Sequence, residues 1–399
     1  MTHGALEGVK VLEYARMVSG PYCAKLLADL GAEVVKIEQP SLGDPARQKG
    51  PFPGDLPHPE KSGLFLYLNT NKLGITLDVH TEEGRKVFRE LAQWADILIE
   101  DSPPGRMGEL GLNYESLSAL NPRLIVTSIT PYGQTGPYRD RKSYHLNLYH
   151  ASGHSAFVYI TPSEAEGPPL AAGGLVGDYD AGLTAAVATL GALFWRLHTR
   201  EGQHVDISEL EALVGLERVE VNHFANNPGP RRWPGMIGGL MPCKDGYVVI
   251  TAAQDHQWWA LVELMGNPAW AQEEECKNEF TRSQHRDEIQ PRILEWMSRH
   301  TREEIYHQGQ SLNVPVGPVW TAEEIAGWEQ ARQRGFFVEL DHAEVGRLTY
   351  PSAAYCLSRT PWRGERAAPL LGQHNEQVYC GRLGYSREEL ARLAAEGVV

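Results

Sequence analysis

Across the first third of the chain, short apolar runs alternate regularly with helix-forming segments. Each apolar run spans three to six residues, the length of a buried strand, and glycine or proline marks the ends of the first intervening helix. This order predicts a mostly parallel sheet with helices on both faces. The predicted strands are Val9–Tyr14, Val34–Ile37, Ile75–Leu77, Ile97–Ile99 and Leu124–Ile129.

A length of 399 residues exceeds one ordinary domain and suits two. The segment Asn226–Pro234 contains three prolines and two asparagines, which is typical of a linker, and the chain beyond it is helix-rich and charged. We therefore expect a doubly wound, Rossmann-like α/β domain in residues 1–225 and a smaller helix-rich α+β domain in residues 226–335. Residues 336–399 are expected to return to the large domain and complete it.

Charge and cysteine usage narrow the class of protein. A formal net charge of −14 argues against nucleic acid or an anionic membrane as the partner. The five cysteines form no C-x-x-C pair, so reduced thiols are expected rather than disulfides or zinc, and the histidines show no metal-binding spacing. The chain starts without the pattern of a signal peptide and has no apolar run of the roughly 18 residues that a membrane span needs. A soluble, cytoplasmic protein without a metal site is the expectation.

The first βα turn invites comparison with dinucleotide-binding folds. Glu38 ends the second predicted strand, where an acid that binds ribose would stand. The turn Arg16–Pro21, however, carries one glycine where G-x-G-x-x-G requires three, and Pro21 lacks the backbone donor that a pyrophosphate would use. NAD binding is therefore disfavoured.

An aspartate opens the longest apolar helix, which is predicted from about Asp178 to His198. Residue type and position favour a helix N-cap as the structural interpretation of Asp178. The chemical interpretation is that a carboxylate beside a helix N-terminus stays ionised and attacks a thioester to give a mixed anhydride. Both interpretations remain open on local grounds.

A set of short stretches, taken together and in order, resembles the class III CoA-transferases, with α-methylacyl-CoA racemase as a related branch. The resemblance runs from about Gly8 to Asp206 and more loosely to the C-terminus. The stretches are Ser19–Pro21, Leu26–Glu38, Gly43–Arg47, Asn69–Lys72, Leu77–Asp78, Leu120–Ile125, Tyr132–Tyr138, Gly202–Asp206 and Ala368–His374.

The resemblance implies an activity and an assembly. The activity is transfer of coenzyme A between carboxylic acids, with an acyl-CoA and a carboxylic acid as the partners and no tightly bound cofactor. Asp178, which matches the catalytic aspartate in a Gly-Asp-x-x-x-Gly setting, would carry an aspartyl mixed anhydride and then an aspartyl-CoA thioester. The assembly is a homodimer whose two chains interlock like links.

The resemblance also implies which residues bind the coenzyme and substrate. Gly238 and Gly239 correspond to a glycine flap over the acceptor acid, and the neighbouring Met236 and Ile237 are expected to add apolar surface for an acceptor larger than oxalate. The positions that match coenzyme-contacting residues are Val18, Ser19, Gln39, Leu77, Asp78, His80, Asp101, Ser102, Arg106, Lys142, Tyr144 and His145.

Two alternatives belong to other classes. In the racemase branch a His-Asp pair removes a proton from an α-carbon, and this pair would fall on Tyr144 and His145, so the histidine is one residue out of register. A CoA-binding relative without catalytic activity is the other alternative, and the presence of Asp178 argues against it.

Overall fold

The computed structural model describes residues 4–156, 168–227 and 237–399. The predicted linker Asn226–Pro234 therefore lies largely outside the described residues, as does Met236. The chain divides into two compact units. One comprises Met1–Phe157, Ala171–Arg218 and Arg332–Val399, and the other comprises Val158–Leu170 and Val219–Ala331.

The large unit is built on a six-stranded sheet in the order β3-β2-β1-β4-β5-β6, in which every neighbouring pair is parallel. From β1 the chain adds β2 and β3 on one side of the sheet, and it then returns to the other side of β1 to add β4, β5 and β6. This change of side between β1 and β4 is the defining feature of a doubly wound fold. The expected Rossmann-like architecture is confirmed. The strands are β1 (Lys10–Tyr14), β2 (Glu33–Glu38), β3 (Lys72–Thr76), β4 (Ile97–Glu100), β5 (Ile125–Thr130) and β6 (His204–Ser208).

Alternate side chains of each strand enter two different cores. Val11 packs in a cluster with helices α1 and α7, whereas the next residue, Leu12, packs in a second cluster with α3 and α5 on the opposite face. Burial on both faces explains why neighbouring strand residues such as Val11 and Leu12 are both apolar. The helices are α1 (Ser19–Asp29), α2 (Gly63–Leu68), α3 (Glu82–Trp94), α4 (Arg106–Glu109), α5 (Tyr114–Leu120), α6 (His145–Ala151), α7 (Val176–Thr199) and α8 (Glu209–Leu216).

The second unit is helix-rich around a three-stranded antiparallel sheet, as expected for a small α+β domain. Its core centres on Trp258, which is fully buried. Its elements, with two helices that cross the unit boundaries, are α9 (Arg218–Asn226), β7 (Gly238–Cys243), β8 (Gly246–Thr251), α10 (Asp255–Leu264), α11 (Glu279–Gln284), α12 (Arg286–Met297), α13 (Arg302–Ser311), β9 (Val316–Pro318), α14 (Ala322–Ala326) and α15 (Glu329–Gln333).

The last part of the chain packs on the large unit. The hydroxyl of Tyr379 donates a hydrogen bond to the carbonyl oxygen of Thr76 in β3, and Val378 and Leu393 join the core on that face. Its elements are β10 (Phe337–His342), β11 (Gly346–Pro351), α16 (Asn375–Tyr379) and α17 (Arg387–Ala395). Among the described residues, no helix is both long enough and apolar enough to cross a bilayer.

Candidate functional site

The site lies where the strand order of the large sheet reverses. Doubly wound sheets bind ligands in the crevice outside the carboxyl ends of the strands at such a point. The loops after β1 and β4 are joined there, because the backbone N–H of Arg16 donates to the carboxylate of Asp101 at 2.7 Å. Burial raises the pKa of Asp101 to about 7, and the Arg16 contacts oppose this shift.

Nine of the predicted coenzyme-contacting residues follow the carboxyl ends of adjoining strands. The family resemblance alone points to these residues, and the fold brings them to one edge of the sheet. These residues are Val18 and Ser19 after β1, Gln39 after β2, Leu77, Asp78 and His80 after β3, and Asp101, Ser102 and Arg106 after β4.

The predicted basic residues differ in their surroundings. The guanidinium of Arg106 contacts the imidazole Nδ1 of His80 at 3.0 Å and the carboxylate of Glu109 at 2.7 Å. Glu109 therefore already uses one of the hydrogen-bond donors of Arg106. Lys142 is exposed in the segment before α6, and Tyr144, the residue before that helix, is 78% exposed. Both residues belong to the segment between β5 and α6 and do not directly follow a strand of the sheet.

Asp178 lies in the first turn of α7 and not at its N-cap. The helix begins two residues earlier at Val176, and its cap residue is Leu175, in a left-handed conformation with φ of 59°. The N-cap interpretation of Asp178 is therefore wrong. A left-handed conformation is uncommon for a leucine and costs about 1–2 kcal/mol, which marks this helix start as a strained segment.

A histidine holds the Asp178 carboxylate. His145, the first residue of α6, places Nδ1 3.2 Å from Oδ1 of Asp178. The two side chains are 14% and 18% exposed, so both are largely buried but still open to a small molecule. His145 is one residue out of register with the histidine of the racemase pair, so the sequence does not predict a catalytic pair there. The structure nevertheless brings His145 and Asp178 into contact.

The two glycines of the Gly-Asp-x-x-x-Gly pattern have separate steric roles. A Cβ on Gly182 would lie 2.5 Å from the carbonyl oxygen of Ser19, so glycine lets α7 pack closely on the start of α1. A Cβ on Gly177 would lie 3.1 Å from Leu213 and 3.4 Å from Nδ1 of His145. Since Gly182 is one helical turn after Asp178, the same face of α7 carries the carboxylate toward Ser19.

Opposing effects set the pKa of Asp178. Burial raises it above its ordinary value, and the charge and hydrogen bond of His145 act against that shift. The carboxylate also sits at the positive end of a 24-residue helix, which favours its ionised form. The net result is a pKa above the ordinary value, and His145 limits that rise while its hydrogen bond orients the partly buried carboxylate.

A buried ionic network lies under the turn between β1 and α1. The ammonium group of Lys36 contacts Glu13 at 2.8 Å and Asp44 at 2.9 Å, and Lys72 contacts the other oxygen of Glu13 at 2.8 Å. All four side chains are at most 1% exposed. Burial alone would lower the pKa of Lys36, but its acidic neighbours raise it above the ordinary value, whereas burial lowers the pKa of Lys72 to about 8.

This network holds the backbone of the turn in place. Lys36 also donates to the carbonyl oxygen of Ala15, and Lys72 donates to that of Pro21. Asp44 accepts a hydrogen bond from the backbone N–H of Met17, which has a left-handed φ of 60°. Lys36, Asp44 and Lys72 thus fix the turn that bears Val18 and Ser19, and all three lie in stretches that carry the family resemblance.

The predicted flap residues lie in the second unit. Gly238 and Gly239 are the first residues of β7 and have φ of 121° and 103°, values that glycine tolerates. Ile237 is 2% exposed and belongs to the core of that unit. The expectation that Ile237 offers apolar surface to a substrate is therefore wrong, because the side chain is used in packing.

One acidic residue of the site was not predicted from the sequence. Glu209, the first residue of α8, accepts a hydrogen bond from the hydroxyl of Ser19 at 2.6 Å. Acidic residues are common in the first turn of a helix, so the sequence gives no reason to single it out. Among the described residues, no group of three or more His, Cys, Asp and Glu side chains is arranged to hold a metal.

The fold is thus a doubly wound α/β sheet, with a histidine-held carboxylate in the first turn of α7. The chain belongs to CoA-transferase family III, whose sequence pattern matches residues 6–375. The predicted family and enzyme class are confirmed.

Known relatives cover nearly the whole chain. The human succinyl-CoA:glutarate CoA-transferase is 31% identical over 401 residues, which cover 99% of this chain and 90% of the relative. The formyl-CoA:oxalate CoA-transferase of Streptomyces coelicolor is 32% identical over 424 residues, with 100% of both chains covered. A crystal structure of a CAIB/BAIF family protein from Brucella suis has a TM-score of 0.84 at 29% identity and covers 97% of this chain and 100% of that one.

Proposed function

We propose that this protein transfers coenzyme A from an acyl-CoA to a carboxylic acid, with Asp178 as the residue that carries the acyl group. The observation that supports this most strongly is the position of Asp178. Its carboxylate is held by His145, faces the start of α1 and is open enough to meet a substrate.

In the proposed mechanism the Asp178 carboxylate attacks the thioester carbon of the donor. A C–O bond forms, the C–S bond breaks, and CoA leaves as a thiolate from a mixed anhydride. The thiolate then attacks the Asp178 acyl carbon, releasing the donor acid and leaving an aspartyl-CoA thioester. The acceptor carboxylate attacks that thioester to give a second anhydride, and CoA takes the acceptor acyl group, which frees Asp178.

None of these steps requires a net proton transfer, because all three nucleophiles, the Asp178 carboxylate, the CoA thiolate and the acceptor carboxylate, are already anions. The task of the protein is therefore to keep Asp178 ionised, to orient it and to exclude water that would hydrolyse the anhydride. His145 serves the first two needs through its hydrogen bond, and the low exposure of both side chains serves the third.

The acid substrates are proposed to be short dicarboxylates. The two relatives described above are named for succinyl and glutarate in one case and for formyl and oxalate in the other. Since Ile237 is buried, it no longer favours a large apolar acceptor. Gly238 and Gly239 stay as proposed flap residues.

The function is tested by incubating the protein with a panel of acyl-CoA donors and carboxylate acceptors and following CoA exchange by mass spectrometry. Exchange between short dicarboxylic acids is the expected result. A protein that binds acyl-CoA but exchanges none would be the CoA-binding relative without activity.

Racemisation is the second candidate, and the contact between His145 and Asp178 is the observation that favours it. A racemase needs two groups on opposite faces of one α-carbon, however, and these two touch each other at 3.2 Å. Incubation with a 2-methylacyl-CoA in D₂O is therefore expected to give no deuterium at the α-carbon. Rapid α-exchange without CoA transfer would make racemisation the function.

Coenzyme A is proposed to bind at the carboxyl edge of the sheet, with Arg106 and Lys142 contacting its phosphates. Charge-assisted hydrogen bonds to phosphate are among the stronger polar contacts. We predict that Arg106→Ala and Lys142→Ala each raise the KM for acyl-CoA by about tenfold and leave the KM for the acceptor unchanged. Initial rates at varied acyl-CoA concentration measure this.

Glu109→Gln is expected to have the opposite effect on acyl-CoA binding, because it removes the carboxylate that pairs with the Arg106 guanidinium. Releasing Arg106 is expected to lower the KM for acyl-CoA. Unchanged KM values in Arg106→Ala, Lys142→Ala and the double variant would assign these side chains to the solvated surface.

A homodimer is proposed as the working form, and an exposed apolar face of α7 supports it. Val187, Phe194 and Leu197 are 64%, 62% and 69% exposed and share one side of the helix with Leu183. Light scattering coupled to gel filtration is expected to give twice the chain mass of 44.4 kDa. Phe194→Glu should reduce that mass, and a monomeric wild-type protein would contradict the proposal. The cytoplasmic location stays a prediction from the reduced cysteines.

A further inference from the structure

Glu209 is a second carboxyl group beside the proposed nucleophile. It begins α8 directly after β6, it is partly buried, and its Oε1 accepts the hydrogen bond from Ser19 at 2.6 Å. Ser19 belongs to the turn that resembles a coenzyme-contacting segment, and its carbonyl oxygen faces Gly182 of α7. Glu209 is therefore attached to the same turn against which the Asp178 face of α7 packs.

The packing of α8 directs Glu209 toward the start of α7. Leu213 lies one helical turn after Glu209 on the same face of α8, and its side chain contacts Gly177, the residue before Asp178. Ser19 of α1 donates a hydrogen bond to Glu209, Asp178 of α7 acts on Glu209 through its charge, and His145 of α6 contacts Asp178. We call these four residues the Glu209 cluster. The cluster thus contains two carboxyl groups and one histidine.

His145 contacts the carboxyl group of Asp178, whereas the carboxyl group of Glu209 is held by Ser19. The Nδ1 of His145 makes the contact with Asp178, and this contact supports the ionised form of that residue. Burial raises the pKa of Glu209 to about 7, the Ser19 hydrogen bond opposes the shift, and the negative charge of Asp178 adds to it. When two carboxyl groups share a poorly solvated site, one keeps its proton while the other ionises.

We propose that Glu209 is a positioning residue that works as a neutral carboxyl group, so that Asp178 is the single negative charge of the cluster. This inference rests on the proposed function, in which the CoA thiolate and the acceptor carboxylate both approach the Asp178 acyl group as anions. A neutral Glu209 lets them approach and holds Ser19 in place. An ionised Glu209 would repel both, so its ionisation sets the alkaline limit of the reaction.

This role of Glu209 predicts that transfer slows as the pH rises. As the pH rises through about 7, Glu209 loses its proton and the cluster gains a second negative charge. The acceptor kcat/KM of the wild-type enzyme is expected to fall by about tenfold or more between pH 6.5 and 8.5. Glu209→Gln cannot ionise, but its amide oxygen can still accept the Ser19 hydrogen bond.

The test compares pH profiles of the acceptor kcat/KM for the wild type, Glu209→Gln and Glu211→Gln. Glu211 is an exposed glutamate in the same helical turn and serves as the matched control. Glu209→Gln is expected to keep its activity at pH 6.5 and to lose less than about threefold by pH 8.5, while Glu211→Gln follows the wild type. An alkaline fall that persists in Glu209→Gln, or loss of its activity at every pH, would overturn the proposal.

Infrared difference spectra between pH 6 and pH 8 provide a readout that does not require turnover. The C=O stretch of a protonated carboxyl group should disappear at pH 8 in the wild type and Glu211→Gln, with a smaller change in Glu209→Gln. Asp101, whose pKa is raised to about 7 by burial, is present in all three proteins, so its contribution cancels in the comparison. If the wild type transfers no CoA but the Glu209 signal is present, the proposed function fails and the charge assignment stands. An identical spectral change in all three proteins would refute the assignment.

Discussion

Replacing Asp178 by asparagine is expected to lower the kcat/KM for CoA transfer by at least about 10⁴-fold. Asparagine has nearly the same shape but no anionic oxygen with which to attack a thioester, so no acyl group can be carried. The measurement is the rate of exchange between a labelled acid and its CoA ester. Asp180→Asn, two residues further along the same helix, is the matched control and is expected to stay within about tenfold of the wild type.

The Asp178→Asn protein should not be less stable than the wild type. Burial raises the pKa of Asp178 in the folded state, so the unfolded chain loses this proton at a lower pH than the folded protein does. Ionisation therefore costs stability as the pH rises through the raised pKa, and asparagine avoids that cost. Thermal unfolding at pH 7 checks that lost activity is not lost folding. Undiminished exchange by folded Asp178→Asn would remove Asp178 from the mechanism.

Replacing Lys36 by methionine is expected to lower the free energy of unfolding by about 3–5 kcal/mol. Methionine fills a similar volume, but Glu13 and Asp44 then lose their shared cation in a site without solvent. The measurement is urea denaturation of both proteins. The KM for acyl-CoA should also rise, because the carbonyl of Ala15 loses its donor in the turn that bears Ser19.

Arg347→Met is the control for this change. Arg347 pairs with Asp341 on the β10–β11 hairpin, where both side chains are more than 60% exposed, and such pairs contribute at most about 1 kcal/mol. An equally small effect of Lys36→Met would show that the buried network does not support the turn.

The layout of the fold could be predicted from the sequence because it depends on local pattern. Buried strands such as Ile97–Ile99 are continuous apolar runs, and Thr81 caps α3 with Glu82 and Glu83 in its first turn, as helix-start preferences predict. A parallel α/β order then brings the loop residues after each strand to one edge of the sheet, whatever their distance in the chain.

The chemistry of the site depends on contacts that local pattern does not encode. His145 and Asp178 are 33 residues apart, and Ser19 and Glu209 are 190 apart. The start of α7 was misplaced by two residues because a leucine, rather than a residue with a capping side chain, holds the cap position. Lys36 and Lys72 would be expected on the surface by residue type, and only the packed structure reveals their buried acidic partner, Glu13.

Trapping the covalent intermediate tests whether Asp178 carries the acyl group. The wild-type protein is incubated with an acyl-CoA donor, quenched with hydroxylamine or borohydride, digested, and its peptides are mapped by mass spectrometry. Hydroxylamine should convert Asp178 to a hydroxamate and borohydride should reduce it to an alcohol, with neither change in protein lacking acyl-CoA. Modification of Asp180 or another residue in its place, or an unmodified Asp178 in protein that is turning over, would contradict the proposed role of Asp178.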